Sequence, residues 1–206
     1  MHPDSIKRLI DFFTRLPGIG PRQASRFAYT LLDEDPKVIE GFSEVLRDLA
    51  RTVGRCEECF RGMERRADTT LCSTCTNDAI GAFLVVEKDQ DYETISKSGL
   101  WEGAYHVLGG TISLLNEKSR VTERIRALYD RLARRTKTAE KPIEVVLATS
   151  ATTEGDTTAL YIERVLEPFL KDQKIIISRL GRGISTGTEM EYADPQTLKN
   201  ALKNRK

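Results

Sequence analysis

The chain has 206 residues, enough for one substantial domain or two small ones. Its 32 Lys and Arg residues nearly balance 31 Asp and Glu residues, and the net charge of +1 excludes a globally basic protein, so any binding to a polyanion must come from local patches. No apolar run approaches the roughly 18 residues that span a bilayer, and no signal-peptide core is present, so we expect a cytoplasmic protein without membrane contact.

Apolar residues at helical spacing predict three helices in the first third of the chain. The patterns cover residues 6–13, 24–31 and 38–49, with apolar side chains repeating at intervals of three and four residues. Pro21 suits the first position of the second helix, and the third helix is expected to open near Pro36. This part of the chain is therefore predicted to be entirely helical.

The link between the first two helices reads LPGIGPRQASRF over residues 16–27. Gly18 and Gly20 permit backbone angles closed to other residues and let another molecule approach the main chain. Backbone N–H groups would point outward at the positive end of the next helix, which suits a phosphate. Arg22 and Arg26, four residues apart, share a helix face and could grip flanking phosphates. The stretch predicts sequence-independent, salt-sensitive DNA binding, with a corner that merely packs as the alternative.

All four cysteines of the chain lie within a short segment. Cys56 and Cys59 form CEEC, Cys72 and Cys75 form CSTC, and twelve residues separate the pairs. This spacing is compatible with a compact two-knuckle zinc site, in which four thiolates satisfy the metal and leave no vacant position for a substrate. The zinc would be structural, because the polar segment between the pairs is too short to build its own core. A disulfide pair and an iron–sulfur cluster are the alternatives.

The pattern changes after the cysteines to strands alternating with helices. Short apolar runs over 83–87, 104–108, 143–149 and 174–180 predict strands, and the first, third and fourth are apolar enough for burial on both faces. Helical patterns begin near Tyr92, cover 121–132, and run through 162–166 until Pro168 or soon after. The alternation predicts an α/β fold with a mainly parallel sheet flanked by helices, whereas the tail after residue 187 gives no clear pattern.

Acidic residues follow two of the predicted strands. Glu87 closes the first, and Glu154 and Asp156 flank a glycine shortly after the third. Ligands usually bind at the carboxyl ends of parallel strands, and alternate carboxylates there can hold Mg²⁺ through oxygen. The alternative is that these acids are solvated or cap the following helix.

A basic run occupies the predicted helix over 121–132 and its flanks. Such a run is either a solvated face or the local basic patch that the near-zero net charge requires. His106 lies inside a strand pattern and is expected to pack rather than to catalyse. The basic residues are Arg120, Arg124, Arg126, Arg131, Arg134, Arg135 and Lys137.

The ordered set of motifs resembles the RecR family of bacterial recombination-repair proteins over essentially the whole chain. The set begins with LPGIGPRQASRFA and the two cysteine pairs, and it ends with ATTEGDTTALYIERVLEP and SRLGRGISTGTEMEYADPQTL. The resemblance implies a helix-hairpin-helix region over 1–54, a four-cysteine zinc finger over 55–78, a Toprim domain over 79–178 and a C-terminal segment over 179–206.

The resemblance also implies function. Members of the family form a ring-like homotetramer built from dimers, bind single- and double-stranded DNA, and work with RecO and RecF to load RecA at single-stranded gaps. Arg22 and Arg26, with Gly18 and Gly20, correspond to the family's DNA-contacting hairpin, and the four cysteines to its zinc ligands. The three acids, Glu87, Glu154 and Asp156, correspond to the Toprim acidic cluster, which would hold Mg²⁺ or contact a partner.

One departure bears on catalysis. Catalytic Toprim enzymes carry an Asp-x-Asp pair, whereas this chain has Glu154 and Asp156, and the chain has no room for the gate or priming domains of such enzymes. We therefore expect a non-enzymatic clamp and adaptor. A Mg²⁺-dependent enzyme acting on DNA phosphodiesters is the alternative.

Overall fold

A computed structural model describes residues 3–76, 81–112 and 119–205. The chain divides between Val53 and Gly54 into two compact units. The boundary predicted between residues 78 and 79 lies outside the described residues. None of the helices in the described ranges has both the length and the apolar character needed to cross a bilayer.

The first unit consists of three helices: α1 (Asp4–Phe13), α2 (Pro21–Leu32) and α3 (Pro36–Thr52). Prolines start α2 and α3, where the missing N–H costs no hydrogen bond. Helices α1 and α2 pack through Phe13 and Phe27, whose ring centroids lie 5.8 Å apart. The predicted helices are therefore present.

The first unit buries little of its apolar surface. Within residues 3–53, the buried apolar side chains are Ala24 and Ala28, both on α2, and neither α1 nor α3 contributes one. The amphipathic faces of these helices thus leave large side chains in solvent, including Phe12, Leu32, Val45 and Leu49.

The second unit contains a small two-stranded sheet and a four-stranded parallel sheet. Strand β1 (Val53–Arg55), whose first residue is the last of the first unit, and strand β2 (Gly62–Glu64) form the small sheet. The parallel sheet has the order β4-β3-β5-β6, so β4 and β6 are its edges. Its strands are β3 (Ala82–Val86), β4 (Ala104–Val107), β5 (Ile143–Ala148) and β6 (Ile175–Arg179).

Helices cover both faces of the parallel sheet, as expected for strands that alternate with helices. Alternate residues of β3 point to opposite faces. Phe83 packs in a cluster with side chains of α5 (Arg120–Arg135) and α6 (Thr153–Lys171), and Leu84 packs in a cluster with side chains of α4 (Asp89–Ser98). A short 3₁₀ turn and a last helix follow β6. The helical elements are α4 (Asp89–Ser98), α5 (Arg120–Arg135), α6 (Thr153–Lys171), the 3₁₀ turn (Met190–Tyr192) and α7 (Pro195–Lys203).

The structure corrects two details of the sequence interpretation, the start of α4 and the burial of β6, and confirms the end of α6. Helix α4 starts at Asp89, before Tyr92, because the Asp91 carboxylate accepts the Lys88 N–H at 2.8 Å and caps the first turn. Helix α6 ends at Lys171, soon after Pro168, as predicted. Strand β6 is an edge and is not buried on both faces, since Ile176 is 58% exposed.

Candidate metal centre and nucleic-acid interface

The four cysteines converge on one buried point. Cys56 and Cys59 follow β1, while Cys72 and Cys75 lie in a turn in which the Cys75 N–H donates to the Cys72 carbonyl at 3.0 Å. All four are buried free thiols, and their sulfur atoms lie within 4.8 Å of one another. Among the described residues, this is the one group of three or more His, Cys, Asp and Glu side chains so placed.

The chemistry of this donor set fits a tetrahedral metal ion. Metal–sulfur bonds of about 2.3 Å place tetrahedral sulfurs about 3.8 Å apart, and the Cys59 and Cys72 sulfurs are 3.7 Å apart. The Cys72 backbone N–H donates to the Cys56 sulfur at 3.3 Å, as it would to a thiolate. The hydrogen bond between the Cys59 and Cys56 sulfurs lowers the pKa of Cys56 and raises the pKa of Cys59. Such a cluster could bind a metal ion such as zinc.

The cysteine segment docks on the outer edge of β4. The Val107 N–H on that edge donates to the Cys59 carbonyl at 2.8 Å. The two outward carbonyls accept from guanidinium groups of α5: Val107 from Arg124 at 3.1 Å and Tyr105 from Arg131 at 2.9 Å. Without these contacts, each of these backbone groups on the edge of β4 would lack a hydrogen-bond partner and could pair with a strand of another chain.

These contacts correct the interpretation of the basic run on α5. Arg124 and Arg131 face inward, are 5% and 2% exposed, and are stacked over Phe60 and Phe83 with guanidinium-to-ring distances of 4.9 and 4.7 Å. They belong neither to a solvated face nor to a basic patch. Their spacing of seven residues, two helical turns, was the available signal, because it aligns them with the apolar stripe of the helix. Arg120, Arg126, Arg134 and Lys137 remain exposed.

His106 is fully buried and packs, as predicted. Its Nε2 lies 2.8 Å from the Arg124 carbonyl, and its ring meets that of Phe60 edge-on at 5.4 Å. Burial, together with the nearby positive charges of Arg131 and Arg124, lowers the pKa of His106 to about 3. The imidazole is therefore neutral at physiological pH and holds the cysteine segment against α5.

The predicted hairpin glycines lie in an open turn before α2. Gly18 has a φ of 80°, a conformation that side chains disfavour, and a Cβ added at Gly18 or Gly20 would meet nothing within 4 Å. Gly20 is the N-cap and provides no side-chain cap to the first turn of α2. Arg22 and Arg26 are both exposed, one helical turn apart. The turn thus presents an uncapped helix N-terminus, which is the positive end of the helix dipole, together with two exposed arginine side chains.

The three acids occupy different environments. Glu87 is 3% exposed and accepts hydrogen bonds from the Ser150 N–H and Oγ, both at 2.8 Å. Asp156 accepts two hydrogen bonds from Arg182, at 2.6 and 3.0 Å, which lower its pKa, and Glu154 is exposed. Within the described ranges these carboxylates do not gather into a metal-binding group. Glu87 therefore acts as a brace, by which we mean a buried carboxylate whose hydrogen bonds to Ser150 hold the ends of β3 and β5 together.

Comparisons with known proteins agree with this architecture. Residues 6–50 match the family model described as "RecR, helix-hairpin-helix", residues 81–181 match "Toprim domain", and residues 183–206 match "RecR, C-terminal". A Recombination protein RecR from Synechococcus sp. (strain CC9311) is 38% identical over 200 residues, covering 96% of this chain and 98% of that protein. One from Dehalococcoides mccartyi is 36% identical over 203 residues, covering 98% and 93%.

The fold and the site together define a Toprim-domain protein that also carries a helix-hairpin-helix and a four-cysteine cluster. The relatives that are 36–38% identical over nearly the whole chain narrow this class of Toprim-domain proteins to one family. The chain belongs to the RecR family of recombination proteins, which confirms the resemblance seen in its motifs and gives it a role in recombinational repair.

Proposed function

We propose that this chain is a non-enzymatic DNA clamp and adaptor, which acts with RecO and RecF to promote loading of RecA at single-stranded gaps. The observation that carries the proposal is the open turn before α2. It combines an uncapped helix N-terminus with Arg22 and Arg26 on one exposed face. Because amide groups and guanidinium groups bind phosphates without reading bases, the expected binding to single- and double-stranded DNA is independent of sequence.

A homotetramer built from dimers is part of the proposal. The first unit exposes Phe12, Leu32, Val45 and Leu49 at 55–65%. A groove of about 830 Å³ on the same unit is lined mainly by apolar side chains, among them Leu9 and Phe42. An exposed apolar groove of this kind marks an interaction site, and a second copy of the same unit would bury it on both sides of an isologous contact.

We assign Zn²⁺ to the four-cysteine cluster, as a structural ion. Four sulfur donors favour zinc over magnesium or calcium, and a closed set of four leaves no position for a substrate. We also assign the four regions as 1–54, 55–78, 79–178 and 179–206, with the cysteine region held on the Toprim sheet by contacts to β4 and α5. Since its DNA substrate is the bacterial chromosome, the protein would act in the cytoplasm.

Two of the acids, Asp156 and Glu154, are assigned to partner contact, whereas Glu87 is buried. Asp156 is already paired with Arg182, so a Mg²⁺ ion would have to displace a guanidinium group. A basic surface of RecO could exchange for that guanidinium at little cost, because both cations satisfy the same carboxylate. Glu154 is exposed in the same first turn of α6 and adds a second carboxylate to this end of the helix.

The proposal is tested by charge reversal at the hairpin. Arg22→Glu should weaken binding about tenfold near 0.1 M salt, equally for DNA of any sequence, and should lower the salt slope by about one. Arg51→Glu, the same change at a side chain that is 81% exposed on α3, is the control and should bind like the parent. Fluorescence anisotropy with random-sequence oligonucleotides measures both. Binding by the Arg22 variant equal to that of the parent would refute the hairpin assignment.

A second assay separates an adaptor from an enzyme. Labelled single- and double-stranded DNA is incubated with the protein and Mg²⁺ or Mn²⁺. We expect intact DNA. Metal-dependent cleavage that Glu87→Gln abolishes would contradict the non-enzymatic assignment.

A further inference from the structure

Arg131 of α5 is among the most completely buried large side chains of the second unit, at 2% exposed. Its Nη2 donates to the Cys75 sulfur at 3.0 Å, and its Nη1 donates to the Tyr105 carbonyl at 2.9 Å. Its Nε lies 3.0 Å from a carboxylate oxygen of Glu58, between the two cysteines of the first pair. One guanidinium group thus contacts the sulfur of one cysteine, a glutamate that lies between two other cysteines in the chain, and a backbone carbonyl on the edge of the sheet.

The contact between Arg131 and the Cys75 sulfur compensates charge at the four-cysteine cluster. Four thiolates around a divalent ion carry a net charge of minus two, and a buried net charge is costly unless a counter-charge compensates it. Arg131 places a permanent positive charge on the Cys75 sulfur from inside the fold, where little water screens it. The hydrogen bond also stabilises the thiolate that a metal requires, which an apolar side chain at this position would not do.

The same side chain links the cluster to the parallel sheet. The guanidinium group that donates to the Cys75 sulfur also donates to the Tyr105 carbonyl on the edge of β4. We propose that Arg131 is a positioning residue of the four-cysteine metal site: it holds the Cys75 thiolate, offsets the excess negative charge, and makes metal retention depend on docking to α5. Partners of this kind around metal ligands typically change metal affinity 10–100-fold.

The test compares Arg131→Met with Arg134→Met in the full-length protein. Arg134 lies on the same helix, carries the same charge and contacts the same Glu58 carboxylate, but its side chain is 60% exposed. Release of Zn²⁺ to a chromophoric chelator should be 10–100-fold faster for Arg131→Met and within about twofold of the parent for Arg134→Met. Equal release rates for all three proteins would overturn the role.

A spectroscopic measurement separates this role from simple packing. With Co²⁺ in place of Zn²⁺, the sulfur-to-metal charge-transfer band should shift in Arg131→Met, because one thiolate loses a charged hydrogen bond, and should stay unchanged in Arg134→Met. A band at the parental position in a folded Arg131→Met protein would contradict the proposal. Failure of the parent to bind Co²⁺ would overturn the metal assignment together with this role, without affecting the hairpin assignment.

Arg131→Lys covers the case in which the methionine variant does not fold, as judged by circular dichroism. Lysine keeps the charge but lacks the fork that reaches the Cys75 sulfur and the Tyr105 carbonyl together. We expect metal release a few-fold faster than in the parent, since only the charge is retained. With Arg131→Met unfolded, a parental release rate and a parental cobalt band for Arg131→Lys would overturn the role.

Discussion

Gly155 is the residue of the acidic segment that the structure constrains most tightly. It lies in the first turn of α6, where the Thr152 hydroxyl accepts its N–H at 3.1 Å. A Cβ added at this position would lie 2.1 Å from the Ser150 carbonyl oxygen and 2.9 Å from a Glu87 carboxylate oxygen. The glycine is required by this close approach of the β5–α6 loop.

The cost of Gly155→Ala follows from these distances. A carbon–oxygen contact normally measures about 3.3 Å or more, so the loop must move by about 1 Å. That movement strains the hydrogen bonds from Ser150 to the buried Glu87 carboxylate, and a hydrogen bond to a charged group contributes about 1.5–3 kcal/mol. Overpacking adds about 1–3 kcal/mol, and the higher helix propensity of alanine returns about 1 kcal/mol. We expect a net loss of about 2–4 kcal/mol.

Urea denaturation and thermal melting of Gly155→Ala measure this loss. A loss of this size lowers the melting temperature by about 5–15 °C for a unit of this length. Gly81→Ala is the matched control: an added Cβ there meets nothing within 4 Å, and Gly81 has no positive φ, so alanine should stabilise by about 0.4–1 kcal/mol. If Gly155→Ala were as stable as the parent, with unchanged hydrogen exchange at the Ser150 amide, the argument would be refuted.

Three further outcomes are expected. Glu87→Gln should lose about 1–2 kcal/mol in urea denaturation while DNA binding stays unchanged, because an amide can still bond Ser150 but without charge; weaker DNA binding at full stability would argue against a brace. Asp156→Asn should cost less than about 1 kcal/mol at neutral pH. Since Arg182 lowers the pKa of Asp156, this difference should hold above the ordinary pKa near 4 and vanish as the pH falls further; a difference unchanged at pH 2 would contradict the ion pair. A strong chelator should make four thiols reactive to a thiol reagent and should promote association of protein molecules through the uncovered edge of β4. Thiols that stay unreactive after metal removal would contradict the view that the metal holds the cysteine segment in place.

Much of this molecule could be predicted from local patterns. Helical spacing and the two prolines located α1 to α3, and the alternation of apolar runs with helices predicted the parallel sheet. Cysteine spacing predicted the four-sulfur cluster, because two knuckles that each contribute two sulfurs need no information from elsewhere in the chain. His106 inside an apolar run was correctly expected to be buried.

Other features depended on contacts between distant segments. The acids looked alike in sequence, yet the structure separates a buried brace at Glu87 from an ion pair at Asp156, because Ser150 and Arg182 reach them from other elements. Strand β6 was expected to be buried on both faces and instead forms an exposed edge, since strand order is set by crossover connections and not by hydrophobicity.

The sequence by itself determined most of the secondary structure before residue 180, the cysteine cluster and the turn before α2, since each depends on residues close together in the chain. Only the tertiary structure decided what the arginines of α5 do. Arg124 and Arg131 are as hydrophilic as their exposed neighbours. They are buried because backbone carbonyls on the edge of β4 and the Cys75 sulfur accept their hydrogen bonds, which offsets the free-energy cost of burying a charge.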